Sequence, residues 1–130
     1  MAITKWLDRR IAAAGPHLAL VLSQLEFDAA LRHCGVPPGV AWLQTPHSDA
    51  TAHWLTNQKG ELVCVVALGP YDGRNSIEIA GLLVHEAVHV WQQYAERIGE
   101  RNPGLEQEAY AVQCIAQELM AEFARRQETR

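Results

Sequence analysis

Long apolar runs are missing from this chain. The longest, Leu62 to Leu68, falls far short of the roughly 20 residues that a membrane-spanning helix needs. A basic excess is missing too. Eleven Lys and Arg stand against fifteen Asp and Glu, a formal net charge of −4. The basic residues are scattered apart from Arg9-Arg10 and Arg125-Arg126, which argues against a nucleic-acid partner. Cysteine is scarce. Cys34, Cys64 and Cys114 are odd in number and form no C-x-x-C, so neither a disulfide framework nor a thiolate zinc site is expected. They read as buried thiols of a reducing compartment. No signal-peptide core forms before Pro16-His17, because the preceding residues alternate charge with alanine. Repeats and low-complexity tracts are also lacking. These absences lead to the expectation of a cytoplasmic protein with neither a membrane nor a nucleic-acid partner.

What is present is enough for one globular domain spanning all 130 residues, of which 48% are apolar. Residues 3–14 carry Ile3, Trp6, Leu7, Arg10 and Ile11 at helical spacing, with Gly15-Pro16 as a stop. Leu18 to Leu22 reads as a short strand. Ser23 and Glu26 have the spacing of a capping box, in which hydroxyl and carboxylate satisfy each other's backbone donors. A helix follows to about Cys34, ended by Gly35. Ala50 to Thr56 and Glu61 to Leu68 read as strands joined by a hairpin loop, Asn57 to Gly60. Asn75 and Glu78 cap a helix from about Ser76 to Ile98, closed by Gly99. Asn102-Pro103 reads as the start of a last helix that reaches about Arg125. The expected fold class is α+β: a small antiparallel sheet followed by two long helices.

The first long helix carries His85-Glu86-Ala87-Val88-His89, an H-E-x-x-H pattern. Residues four apart on a helix lie about 5–6 Å apart on one face, so both imidazoles can reach one metal ion. Glu86 lies about 100° around the helix from His85. It is poorly placed to join the ligands but can reach a water beside them and act as general base. A chain of this composition would show the pattern by chance only ~0.02 times. The other residues in the central turns are apolar, so the helix is expected to be buried. Three polar side chains there are costly unless satisfied.

A third ligand is expected from the first turn of the last helix, where Glu106 and Glu108 flank the apolar stripe on opposite sides. Spacing does not choose between them. Tyr110, one turn beyond Glu106, is a candidate donor to a developing oxyanion, with half-buried packing as the plainer account. His53 is a lesser candidate for the cleft, and Tyr71 and Asp72 for substrate contact from the loop before the helix. The strand Glu61 to Leu68, nearest in sequence to the H-E-x-x-H helix, is the candidate edge strand for an extended peptide.

H-E-A-V-H followed by Glu106-Gln107-Glu108-Ala109 resembles the gluzincin group of zincin metallopeptidases. In several of those families the pattern E-x-x-A-[DN] supplies the third ligand, and here Tyr110 stands at the last position. The longer strings Gly81-Leu-Leu-Val-His-Glu-Ala-Val-His-Val-Trp-Gln-Gln and Glu108-Ala-Tyr-Ala-Val-Gln resemble small zincin-like proteins encoded by phages and prophages. The resemblance implies a minimal zincin-like fold, a Zn2+ ion held by His85, His89 and Glu106 (alternatively Glu108), Glu86 as general base, and a peptide or protein substrate. The competing expectation is a non-catalytic zinc-binding protein with a structural or interaction role. The sequence does not specify a substrate or an oligomeric state.

Overall fold

A computed structural model describes residue 4, residues 6–7 and residues 16–128. The element order is β1 (Trp6–Leu7), β2 (His17–Val21), α1 (Gln24–His33), β3 (Ala50–Thr56), β4 (Leu62–Leu68), α2 (Ser76–Arg97) and α3 (Leu105–Glu128). The fold is α+β. Four strands form one sheet in the order β1-β2-β4-β3.

That sheet is mixed, which corrects the expectation of an antiparallel one. β3 and β4 form the expected antiparallel hairpin, but β2 lies parallel to β4, with Ala19 opposite Val65. The physical reason is the crossover. α1 and the loop after it carry the chain across one sheet face, so β4 enters beside β2 in the same direction. Trp6 and Leu7 are strand residues opposite Ala19 and Leu18, not part of a helix. The remainder of the helix expected over 3–14 lies outside the described residues.

Alternation along β4 divides the core in two. Cys64, Val66 and Leu68 face α2 and α3, joined by Leu83, Val90, Trp91, Ile115 and Leu119. Val63, Val65 and Ala67 face α1, joined by Phe27, Ala30 and Leu31. Every residue of β4 is buried, as a strand paired on both edges and covered on both faces must be. Burial pushes the Cys64 thiol up to about 12, which leaves it unreactive.

Local chemistry sets the helix ends. Ser23 Oγ accepts from the Glu26 amide at 3.2 Å. The Glu26 carboxylate departs from the expected box: it accepts from the Leu22 amide at 3.2 Å and from Arg126. Gly35 follows α1 with φ +75°, the left-handed conformation glycine adopts freely. Asn75 accepts from the Glu78 amide and opens α2. α3 starts later than Asn102-Pro103 suggested. Its first turn closes on the Gly104 carbonyl, while the Asn102 amide is held by the Glu100 carboxylate.

Two arginines fix α2 lengthwise along β3. Arg74, just before α2, pairs with Asp49, just before β3. At the other end Arg97 donates to the Gly60 carbonyl at 2.6 Å and to Thr56 Oγ1 at 3.4 Å. The helix therefore runs beside β3 in the same direction. Among the described residues no helix is long and apolar enough to cross a membrane.

Candidate metal centre

α2 has one buried face, not burial all round. The sheet covers one side and α3 another, and the third side is open. His85 and His89 lie on that open side, with Val84 and Ile77 also exposed. Of the three polar residues in the central turns only Glu86 is buried, at 5% exposure. The apolar residues that suggested full burial belong partly to this uncovered face.

The two imidazoles converge. His85 Nε2 and His89 Nε2 are 3.2 Å apart, and the rings meet edge-to-face. Two Zn–N bonds of about 2.0–2.1 Å at a tetrahedral angle would hold their nitrogens about 3.3 Å apart. The observed separation matches that spacing, and in the metal-free protein it is also that of a hydrogen bond between the two rings. On its far side His89 Nδ1 lies within hydrogen-bond distance of Gln92, 3.0 Å from its Oε1.

Glu86 Oε1 lies 3.9 Å from His85 Nε2. Among the described residues, His85, Glu86 and His89 form the one group of three such side chains with ligand atoms within 4.8 Å of one another. Burial pushes the Glu86 carboxyl up. The two histidines, the Ala52 backbone amide that donates to it, and His53 pull the other way.

The Ala52 bond identifies the neighbouring wall. β4 is an interior strand, so the edge strand beside the histidines is β3, not the Glu61–Leu68 segment nearest in sequence. The Gly69 amide donates to the Asp49 carbonyl and the Asn57 amide to that of Glu61. Pairs alternate in an antiparallel ladder, so the main-chain groups of Ala50, Ala52 and Trp54 point away from β4. A cleft of about 300 Å³ opens there, lined by Gln44, Ala50, Thr51, Ala52, Trp54 and the three clustered side chains of α2. Trp54 is 50% exposed.

The remaining candidates are placed as follows. Glu106 and Glu108 both stand exposed at the start of α3, and neither joins the cluster. Glu108 is turned to α2, where its Oε2 accepts from Trp91 Nε1 at 2.9 Å. Tyr110 is 63% exposed and does not line the cleft. His53 faces the other side of the sheet, stacked on Phe27 and bonded to the Trp42 carbonyl at 2.7 Å. Tyr71 packs edge-on against Phe123 and accepts from Gln127.

Gln44, Trp54 and Gln92 were not singled out in the sequence. Gln92 had a local signal, being one helical turn beyond His89; the cleft wall had none, because it depends on which strand is the edge. Comparison of the chain with protein-family models, with the curated proteins and with the solved structures finds no match.

Proposed function

We propose that this protein is a zinc-dependent peptidase of minimal zincin-like design. The observation that carries the reading is the pair of convergent imidazoles at 3.2 Å, set beside a buried carboxylate bonded to an edge strand. His85 and His89 would hold the metal, with a carboxylate from α3 as third ligand. Glu106 is the proposed third ligand and Glu108 the alternative; either would have to turn toward the histidines, since neither joins their cluster. Bound there, zinc supplies Lewis acidity to a scissile carbonyl and makes a water more acidic.

The chain's own groups do the rest. The outward main-chain groups of β3 align an extended peptide by hydrogen bonds, with modest sequence preference. Trp54 offers an apolar surface to one of its side chains. Glu86 takes a proton from the attacking water as oxygen bonds to the carbonyl carbon. It returns that proton to the nitrogen as the amide bond breaks. A carboxyl pushed up by burial suits both halves of the exchange. The same reading puts the protein with phage-type zincin-like proteins acting in a cytoplasm.

A second reading, zinc binding without turnover, draws on the openness of the site. The His85 side chain is 68% exposed, and the cleft is walled by one helix and one strand. Either reading expects about one zinc per chain in protein purified without a histidine tag, measured by elemental analysis. His85→Ala and His89→Ala should each abolish it. Stoichiometric zinc in the double variant would reject this site.

A further inference from the structure

β2 and β4 are neighbouring parallel strands, and the chain leaves their carboxyl ends in opposite directions. After β2 it turns into α1, which packs on the sheet face of Val63, Val65 and Ala67. After β4 it turns into α2, which packs on the face of Cys64, Val66 and Leu68. Two connections that part in this way leave a crevice between them, the place where open sheets with parallel strands hold small ligands. A cavity of about 490 Å³ lies there. Residues 22–24 line it from the first connection, residues 70–72 line it from the second, and Trp42 closes it from the loop before β3. Its size falls within the roughly 300–1,000 Å³ of small-molecule sites. It shares no lining residue with the cleft at His85 and His89. Tyr71 and Asp72, candidates for substrate contact beside the metal, line this crevice instead.

The lining selects a kind of ligand. Trp42 and Tyr71 supply ring surface, and both are held in place. The Trp42 amide donates to Gln24 Oε1 at 3.0 Å, and its carbonyl accepts from His53 at 2.7 Å. The Tyr71 ring is braced edge-on against Phe123. Packing on the α1 core accounts for part of the Trp42 ring, which also walls the crevice. The one charged group in the lining is the Asp72 carboxylate, exposed at the rim. Cations close by in the chain are already engaged, Arg74 with Asp49 and Glu78, and Arg126 with Glu26. The start of α1 does not invite an anion, because its first turn carries Glu26 and Ser23 already caps the amide of that residue. We propose that this crevice is a second ligand site, separate from the metal centre. It takes a small aromatic compound with a positive charge, the ring set against Trp42 and Tyr71 and the cation toward Asp72.

The test uses three probes that share one ring system and differ in charge: tryptamine, indole and indole-3-acetate. Each is titrated into the parent protein and followed by NMR. Tryptamine should move the indole resonance of Trp42 and the amides of Tyr71 and Asp72. It should bind roughly tenfold more tightly than indole-3-acetate, with indole between them. Asp72→Asn, a change on an exposed loop, should bring tryptamine down to the affinity of indole and leave indole unchanged. Trp42→Ala should weaken all three probes. His85→Ala should bind tryptamine as the parent does. Shifts confined to the metal cleft, or no shifts at millimolar tryptamine, would overturn the site. Tightest binding of the anion, or equal tryptamine affinity in Asp72→Asn and the parent, would overturn the ligand class. Should Trp42→Ala fail to fold, the Asp72 variant and the map of shifts decide. No arm of the test reads zinc, so loss of the metal-site reading would leave this result standing.

Discussion

A carboxylate at position 86 is a poor choice for stability. Apart from His85 and His89, its neighbours in the central turns of α2 are apolar, it is 5% exposed, and burial pushes its carboxyl up. Ala or Leu would pack there without desolvating a charge. The Ala52 amide offsets part of that cost, and the two imidazoles offset more. Glu86→Gln keeps the shape and the acceptor oxygen but removes the base. It should retain zinc and unfold in denaturant at no lower concentration than the parent. Hydrolysis of any peptide found in a broad library should fall by a factor of roughly 10² or more. Equal cleavage by both proteins would reject Glu86 as the base. A zinc-loaded parent that cleaves nothing in the library would favour the non-catalytic alternative.

Among the elements, the ion pair between Glu26 and Arg126 ties the start of α1 to the end of α3. Both guanidinium nitrogens donate, at 2.8 and 2.6 Å, and little of either side chain is exposed. Burial alone would raise the Glu26 carboxyl, but Arg126 and the Leu22 amide hold it below its ordinary value near 4.5. Its stabilising contribution is therefore complete above about pH 4.5 and lost as pH falls further. Glu26→Gln should cost about 3 kcal/mol at pH 7, because Arg126 is left without its counter-charge. The difference from the parent, read from denaturant midpoints, should shrink as pH falls below 4.5; a constant difference would mean the pair contributes little. This tie was invisible in the sequence, where Ser23 and Glu26 suggested only a local cap. The hairpin, α1 and α2 were legible because caps, turn residues and periodicity are local signals. The parallel pairing of β2 with β4 was not, because it depends on the crossover. Nor was the strand character of Trp6-Leu7, whose spacing also suits a helix. His85, Glu86 and His89 were legible from spacing alone, whereas the cleft wall required knowing that β3 is the edge.

For the whole molecule, the proposed zinc ion would fasten α2 to α3, and the rest of the fold makes that link measurable. α2 is already tied to β3 at both ends by Arg74 and Arg97. It is buried along its sheet face by Leu83, Ala87, Val90 and Trp91. The metal-free protein should therefore fold, and zinc should add stability to it rather than create it. Free zinc at a hundredfold excess over its dissociation constant stabilises a folded protein by about 2.7 kcal/mol. With an unfolding entropy near 2.1 cal/mol/K per residue, that raises the melting temperature of a domain this size by about 10 °C. The rise should vanish in His85→Ala and His89→Ala. It should also diminish as pH falls, because protons compete with zinc for the ligands. This acid effect is separable from that of Glu26, which persists without zinc and in the histidine variants. Scanning calorimetry of parent and His89→Ala, each with zinc and with chelator, distinguishes the cases. An equal zinc-induced rise in both proteins would mean the ion binds elsewhere. A metal-free parent without a cooperative transition would mean that zinc is part of the fold itself, and that the packing of α2 on the sheet contributes less than its burial implies.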